Sequence, residues 1–198
     1  MKIYISVFFF FLISVFHISA QNRWGIIGGA NLSTSSAKDF GWRTGGYIGG
    51  LYDIRLSESW YIQPQLLYSY EENSTKDNSH IDIFYSQHAL TLPVLASFKV
   101  PLSDAFSLRI NVGPYIQYAL FGRNGRSSID MNGEVIPKKL GWWHADFGDH
   151  FTYGLKGGLA LEHRHLFLSM DCKYSLKKSF LNYDGHGTTL SVGIGYKF

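Results

Sequence analysis

The chain has 198 residues, a formal charge of +3 and one cysteine, Cys172. So small a charge gives no footing for nucleic-acid binding, and a lone thiol excludes an intrachain disulfide. Aromatic residues make up 17%, charged residues only 17%, and there are 21 glycines. That balance suits a chain whose surface does not face water.

The opening stretch "MKIYISVFFFFLISVFHISAQ" has Lys2, an uncharged run from Ile3 to Phe16, then small residues before Gln21. This is the basic, apolar and cleavage order of a secretory signal peptide. Cleavage is expected after Ala20, although Ile18 is larger than the ideal residue two places earlier. The expected organisation is a signal peptide over 1–20 and one domain over 21–198. The apolar run falls short of the roughly 20 residues of a spanning helix, and no later segment is longer.

Downstream, the pattern changes to period two, the strand signal. "WGIIGGANL" and "TGGYIGGLYD" are glycine-rich, and their facing is ambiguous. In "WYIQPQLLYSY", Trp60, Ile62, Pro64, Leu66 and Tyr68 oppose Gln63, Gln65 and Ser69. In "HALTLPVLASFKV", Leu90, Leu92, Val94, Ala96 and Phe98 oppose Thr91, Pro93, Ser97 and Lys99, and Leu95 breaks the rule. Phe106, Leu108, Ile110 and Val112 oppose Ser107, Arg109, Asn111 and Gly113. Tyr153, Leu155, Gly157, Leu159 and Leu161 then oppose Gly154, Lys156, Gly158 and Ala160. Leu166, Leu168, Met170, Cys172 and Tyr174 oppose Ser169, Asp171 and Lys173. Last come Leu190, Val192, Ile194, Tyr196 and Phe198 against Ser191, Gly193, Gly195 and Lys197. Pro64, Pro93 and Pro114 fall inside strands, where bulges are expected to accommodate them.

The connections alternate in length. "IRLSES", "PLSDA" and "EHRH" are short. "STSSAKDFGWR", "EENSTKDNSHIDIF", "FGRNGRSSIDMNGEVIPKKLGWWHADFGDH" and "KKSFLNYDG" are long and polar. The expected fold is all-β: an eight-stranded antiparallel up-and-down transmembrane β-barrel with short periplasmic turns and longer extracellular loops. A soluble lipocalin-like barrel around a hydrophobic ligand shares the alternation and is the alternative. Facing separates them, because Leu166, Leu168 and Met170 point to lipid in one and to the cavity in the other.

Composition favours the membrane form. The polar face is mainly Gly, Ser, Asn and Gln with isolated charges, which fits a crowded lumen. Tyr68, Tyr70, Tyr118, Tyr153, Tyr174 and Tyr196 stand near strand ends, as interfacial girdles require. Lys99, Arg109, Lys156, Asp171 and Lys173 are expected to interlock in the lumen as a salt-bridged plug. Barrels of this size are just wide enough to be filled by side chains. A narrow ion path is the functional alternative. The final "GIGYKF" is expected to close the barrel against the first strand. Tyr196 and Phe198 there resemble the recognition signal that the barrel-assembly machinery reads on outer-membrane proteins.

Four segments carry a resemblance to a known family: "LTLPVLASFKV", "NVGPYIQYAL", "YGLKGGLALEHRHLFLSMDCKYSL" and "LSVGIGYKF". Over most of the mature chain the sequence resembles the PorT-like outer-membrane β-barrel proteins. The resemblance implies an outer-membrane location, lipid as surroundings and no enzymatic activity or cofactor. Some relatives serve the type IX secretion apparatus, but none of these residues selects that role.

Other chemistry is sparse. "HADFGDH" brings His144, Asp146, Asp149 and His150 together, donor types that suit a divalent cation but equally a solvated loop. His163 and His165 in "EHRH" belong to a turn. Ser86 and His88 near a strand end are the pair a membrane-embedded hydrolase would use, without a GxSxG elbow. Trp142 and Trp143 are the candidate loop contact for an unknown protein or glycan partner.

Overall fold

The computed structural model describes residues 23–35, 43–76, 82–129, 135–142, 150–177 and 186–198. The leader over 1–20 lies outside the described residues. Nine strands follow in order: β1 (Arg23–Ser35), β2 (Arg43–Arg55), β3 (Trp60–Lys76), β4 (Asp82–Pro101), β5 (Phe106–Ile129), β6 (Val135–Trp142), β7 (Phe151–His163), β8 (Leu166–Ser175) and β9 (Gly187–Lys197).

All pairings are antiparallel, each strand with the next except that β5 pairs both β6 and β7, and β1 pairs β9 from Gly25↔Lys197 to Ser35↔Gly187. The last strand therefore closes a barrel of eight strands, with β6 outside the ring. Closure leaves the barrel no edge, which a bilayer demands of any sheet that spans it.

Two of the three short turns share one chemistry. "LSESW" and "LSDAF" both use a serine: the Trp60 amide donates to Ser57 Oγ, and the Phe106 amide donates to Ser103 Oγ. Such serine turns let the chain reverse without glycine. At the third, Arg164 takes a φ of 56°, the left-handed region a two-residue hairpin needs.

The long connections between β3 and β4 and after β5 are more ordered than their polarity implies. Strand β3 runs to Lys76 and β4 resumes at Asp82. β5 pairs β7 only from Phe106 to Tyr118, yet continues to Ile129. Above Tyr118 its vacated edge is taken by β6, with Arg126↔Lys138 and Ile129↔Val135. Free backbone groups on a protruding strand are thus paired by the returning chain.

The prolines need no bulges. Pro64↔Val94, Pro93↔Tyr115 and Pro114↔Leu155 keep the register of their neighbours. The β4–β5 ladder shifts instead between His88 and Ala89. Leu95 does not break alternation either. It is fully buried, on the same parity as Thr91, Pro93 and Ser97. The mistake lies in equating apolar with outward.

The outer face is apolar. Ile26, Ile48, Leu66, Val94, Ile110, Leu159, Val192 and Ile194 are exposed there, and Leu166, Leu168 and Met170 are 51%, 51% and 63% exposed. Those three point outward, which overturns the soluble barrel with an apolar bore. The inner face mixes polar side chains with a compact apolar cluster of Ile27, Tyr47, Leu51, Leu67, Ala160 and Phe167. Glycines make room for it. A Cβ on Gly193 would lie 2.0 Å from the Tyr47 hydroxyl oxygen, and one on Gly195 would lie 2.2 Å from Phe167 Cζ.

Candidate functional site

The polar residues of the bore form a connected chain. Near the periplasmic end, Arg109 on β5 reaches Asp53 on β2 at 2.9 Å and Glu162 on β7 at 2.7 Å. Lys197 on β9 donates to Asp53 at 2.8 Å and also contacts Glu162. Lys99 on β4 lies 3.7 Å from Glu162 and is 31% exposed. Two carboxylates are thus held by two deeply buried cations, with a third at the rim. The Arg109 guanidinium also lies over the Tyr61 ring, 4.4 Å from its centroid.

Amides carry the chain outward. Gln63 donates to Asp53 at 2.6 Å, Gln65 to Gln63 at 2.8 Å, and Lys156 to Gln65 at 3.0 Å. Lys156 then lies 3.7 Å from Asp171 on β8. A separate contact stands further out: Lys173 donates to Gln117 at 2.6 Å. Lys156 and Lys173 are directly cross-strand neighbours, so each needs its own acceptor to offset a like charge alongside.

Two cavities flank this plug. The outer one is about 40 Å³ and is bordered by Arg43, Glu71, Gln117 and Lys173. The periplasmic one is about 680 Å³ and is bordered by Arg23, Asp53, Lys99 and Arg109. They share no lining residue.

All five charges singled out in the sequence therefore stand on the inner face. Lys99 and Arg109 belong to the periplasmic cluster, Lys156 and Asp171 to the middle, and Lys173 to the outer contact. Their partners Asp53, Glu162 and Lys197 escaped sequence reasoning as members of the network. The signal was present for two of them. Glu162 continues the parity of Lys156, Gly158 and Ala160, and Lys197 that of Gly193 and Gly195. Asp53 was hidden by the ambiguous facing of β2.

Trp142 ends β6, paired with Arg123, while Trp143 lies outside the described residues. Tyr196 and Phe198 turn outward and pack edge to face at 5.2 Å. The Phe198 amide donates to the Trp24 carbonyl at 2.8 Å. The tyrosines form girdles with histidines among them: His88 beside Tyr68 and Tyr70, His150 beside Tyr118, His186 beside Tyr174, and His165 beside Tyr196.

The alternative chemistries find little geometry. His88 Nδ1 is 2.6 Å from the Tyr68 hydroxyl, its ring also faces Phe121, and no Ser86–His88 hydrogen bond occurs among the described residues. Of the candidate cation loop, His144, Asp146 and Asp149 lie outside the described residues. His150 is buried against the Ala119 carbonyl. No cluster of three metal-ligating side chains occurs among the described residues.

A closed antiparallel barrel with an apolar outer band, aromatic girdles and a charged, filled bore is an integral outer-membrane protein. The chain belongs to the outer membrane protein beta-barrel domain family, which matches residues 19–181. No curated protein matches it. Among solved structures it is similar to Ail, the attachment invasion locus protein of Yersinia pestis, at 15% identity, TM-score 0.48, covering 89% of this chain and 99% of that one. It is also similar to OprG from Pseudomonas aeruginosa, at 12% identity, TM-score 0.49, covering 89% and 96%. The outer-membrane enzyme PagL is similar at 9% identity, TM-score 0.48, covering 88% and 98%. These likenesses concern the shape of the barrel and assign no activity.

Proposed function

We propose that this chain is a non-enzymatic, non-conducting member of its family, of PorT-like type, that works as an interaction protein of the envelope. The observation that carries this reading is the chain of hydrogen bonds and ion pairs from Asp171 to Lys99, which occupies the bore. A filled bore leaves the outer loops and the β5–β6 extension as the parts a partner meets. In this reading, residues 1–20 are removed on export, and the barrel-assembly machinery engages the strand that ends in Tyr196 and Phe198. Trp142 and Trp143 contact a protein or glycan outside, and a secretion complex is one setting for such a barrel.

Planar-bilayer recording tests the filled bore. The purified chain is expected to give no discrete currents, while keeping the gel-mobility shift on boiling that marks a closed barrel. Steady single-channel currents from the parent protein would overturn the plug and favour the narrow channel. For the loops, glycan-array and pull-down signals are expected to fall when Trp142 and Trp143 are both changed to Ala. Equal capture by parent and variant would remove these tryptophans from the interaction.

A further inference from the structure

The periplasmic mouth holds more positive charge than the plug consumes. Its cavity of about 680 Å³ is lined by the cations Arg23, Lys99 and Arg109, by Arg55, whose Nε already donates to the Ser57 carbonyl, by the carboxylates Asp53 and Glu58, and by the terminal residue Phe198. Asp53 is already committed to Arg109, Lys197 and Gln63. Glu58 stands exposed on the β2–β3 turn. Arg23, Arg109 and Lys197 all lie within electrostatic reach of the Lys99 ammonium, whose one ion-pair partner among the described residues is Glu162 at 3.7 Å. At the floor, Arg109 is 3% exposed, and its Nη1 has no hydrogen-bond partner among the described residues.

We infer that this mouth binds an acidic peptide segment presented from the periplasmic side. Lys99 and Arg23 hold a side-chain carboxylate, and Arg109 faces it from below. Charge-assisted hydrogen bonds from guanidinium and ammonium groups suit a carboxylate. The volume exceeds that of a lone oxyanion and falls within the range of ligand pockets, roughly 300–1,000 Å³. Arg23, Lys99 and Arg109 sit on the inner parity of their strands, away from the lipid face, which favours a peptide over a lipid headgroup; Phe198, at the edge of the cavity, turns outward. The plug above keeps the segment from threading further. This site is separate from the outer loops and stands whether or not they have a partner.

The test is fluorescence anisotropy with the mature barrel in nanodiscs. The probe is a labelled hexapeptide of Asp and Glu, and the control is its Asn and Gln counterpart. The acidic peptide is expected to bind about tenfold or more tighter, and to weaken as salt shortens the screening length. Arg23→Gln and Lys99→Gln are each expected to weaken it by about fivefold, while Lys99→Arg retains binding. Arg23 makes no ion pair among the described residues, so its variant keeps the plug intact and carries the test even if Lys99→Gln loses the gel-mobility shift. Equal affinity for the two peptides, or binding unmoved by Arg23→Gln, would overturn the site. Inorganic phosphate binding as tightly as the acidic peptide would overturn the peptide and leave a free oxyanion as ligand.

Discussion

Replacing Arg109 with leucine isolates the central interaction of the bore. The guanidinium is 3% exposed and spans two carboxylates, Asp53 at 2.9 Å and Glu162 at 2.7 Å. Without it, both carboxylates rely on Lys197 for deep neutralisation, with Lys99 at 3.7 Å from one of them. Removing one partner of a buried ion pair costs about 3–5 kcal/mol, because the remaining charge is stranded out of water. Against a typical folding stability of about 5–15 kcal/mol, that loss is large. The assay is urea unfolding of the barrel in lipid, followed by tryptophan fluorescence and by the gel shift on boiling. The midpoint is expected to fall strongly for Arg109→Leu. It should recover in part for Arg109→Leu combined with Glu162→Gln, since the second change removes one stranded charge. A single variant that unfolds within about 1 kcal/mol of the parent would refute the reasoning, because water would then be solvating the carboxylates as well as Arg109 does.

Three further outcomes follow from the wall. Met170→Arg places a charge on the lipid face, where Met170 is 63% exposed, and is expected to destabilise the bilayer-inserted barrel by about 2–4 kcal/mol. Ser169→Arg would not serve as its control, because Ser169 is buried inside. Gly195→Ala sets a methyl group against Phe167 and is expected to cost about 1–3 kcal/mol. Phe167→Leu in the same chain should relieve part of that loss in the urea titration. Cys172 points outward from mid-strand β8, so a charged thiol reagent should label it in urea but not in intact membranes. Rapid labelling in membranes would contradict the lipid-facing assignment of β8.

Much of this architecture is legible because a barrel wall is a local code. Parity along a strand decides inside from outside, and parity needs no partner to be read. That is why the lining positions of Lys99, Arg109, Lys156, Asp171 and Lys173 could be named. Partnership is not local. Asp53 and Lys197 lie 144 residues apart in the chain, and only the register of the closed sheet brings them together. The apolar cluster was also obscured. Ile27, Tyr47 and Leu51 sit in the glycine-rich β1 and β2, where glycine on both faces erases the alternation. Leu95 looked like an error for a related reason: an inward leucine is indistinguishable by type from an outward one. The β5–β6 extension was hidden by its polarity, since strands that rise clear of the membrane have no apolar face to announce them.

The β1–β9 seam has a kinetic meaning. Its pairs join residues 25–35 to residues 187–197, almost the full length of the chain. Contacts so distant in sequence are slow to form, because the loop must be closed before any pairing repays its entropy. Lys197, which completes the charge cluster around Asp53 and Glu162, belongs to that same late strand. Until it docks, both the open strand edges and the buried carboxylates disfavour the inserted state. Docking of the last strand therefore completes the sheet and the charge cluster together, because the same residues that close the seam bring in Lys197.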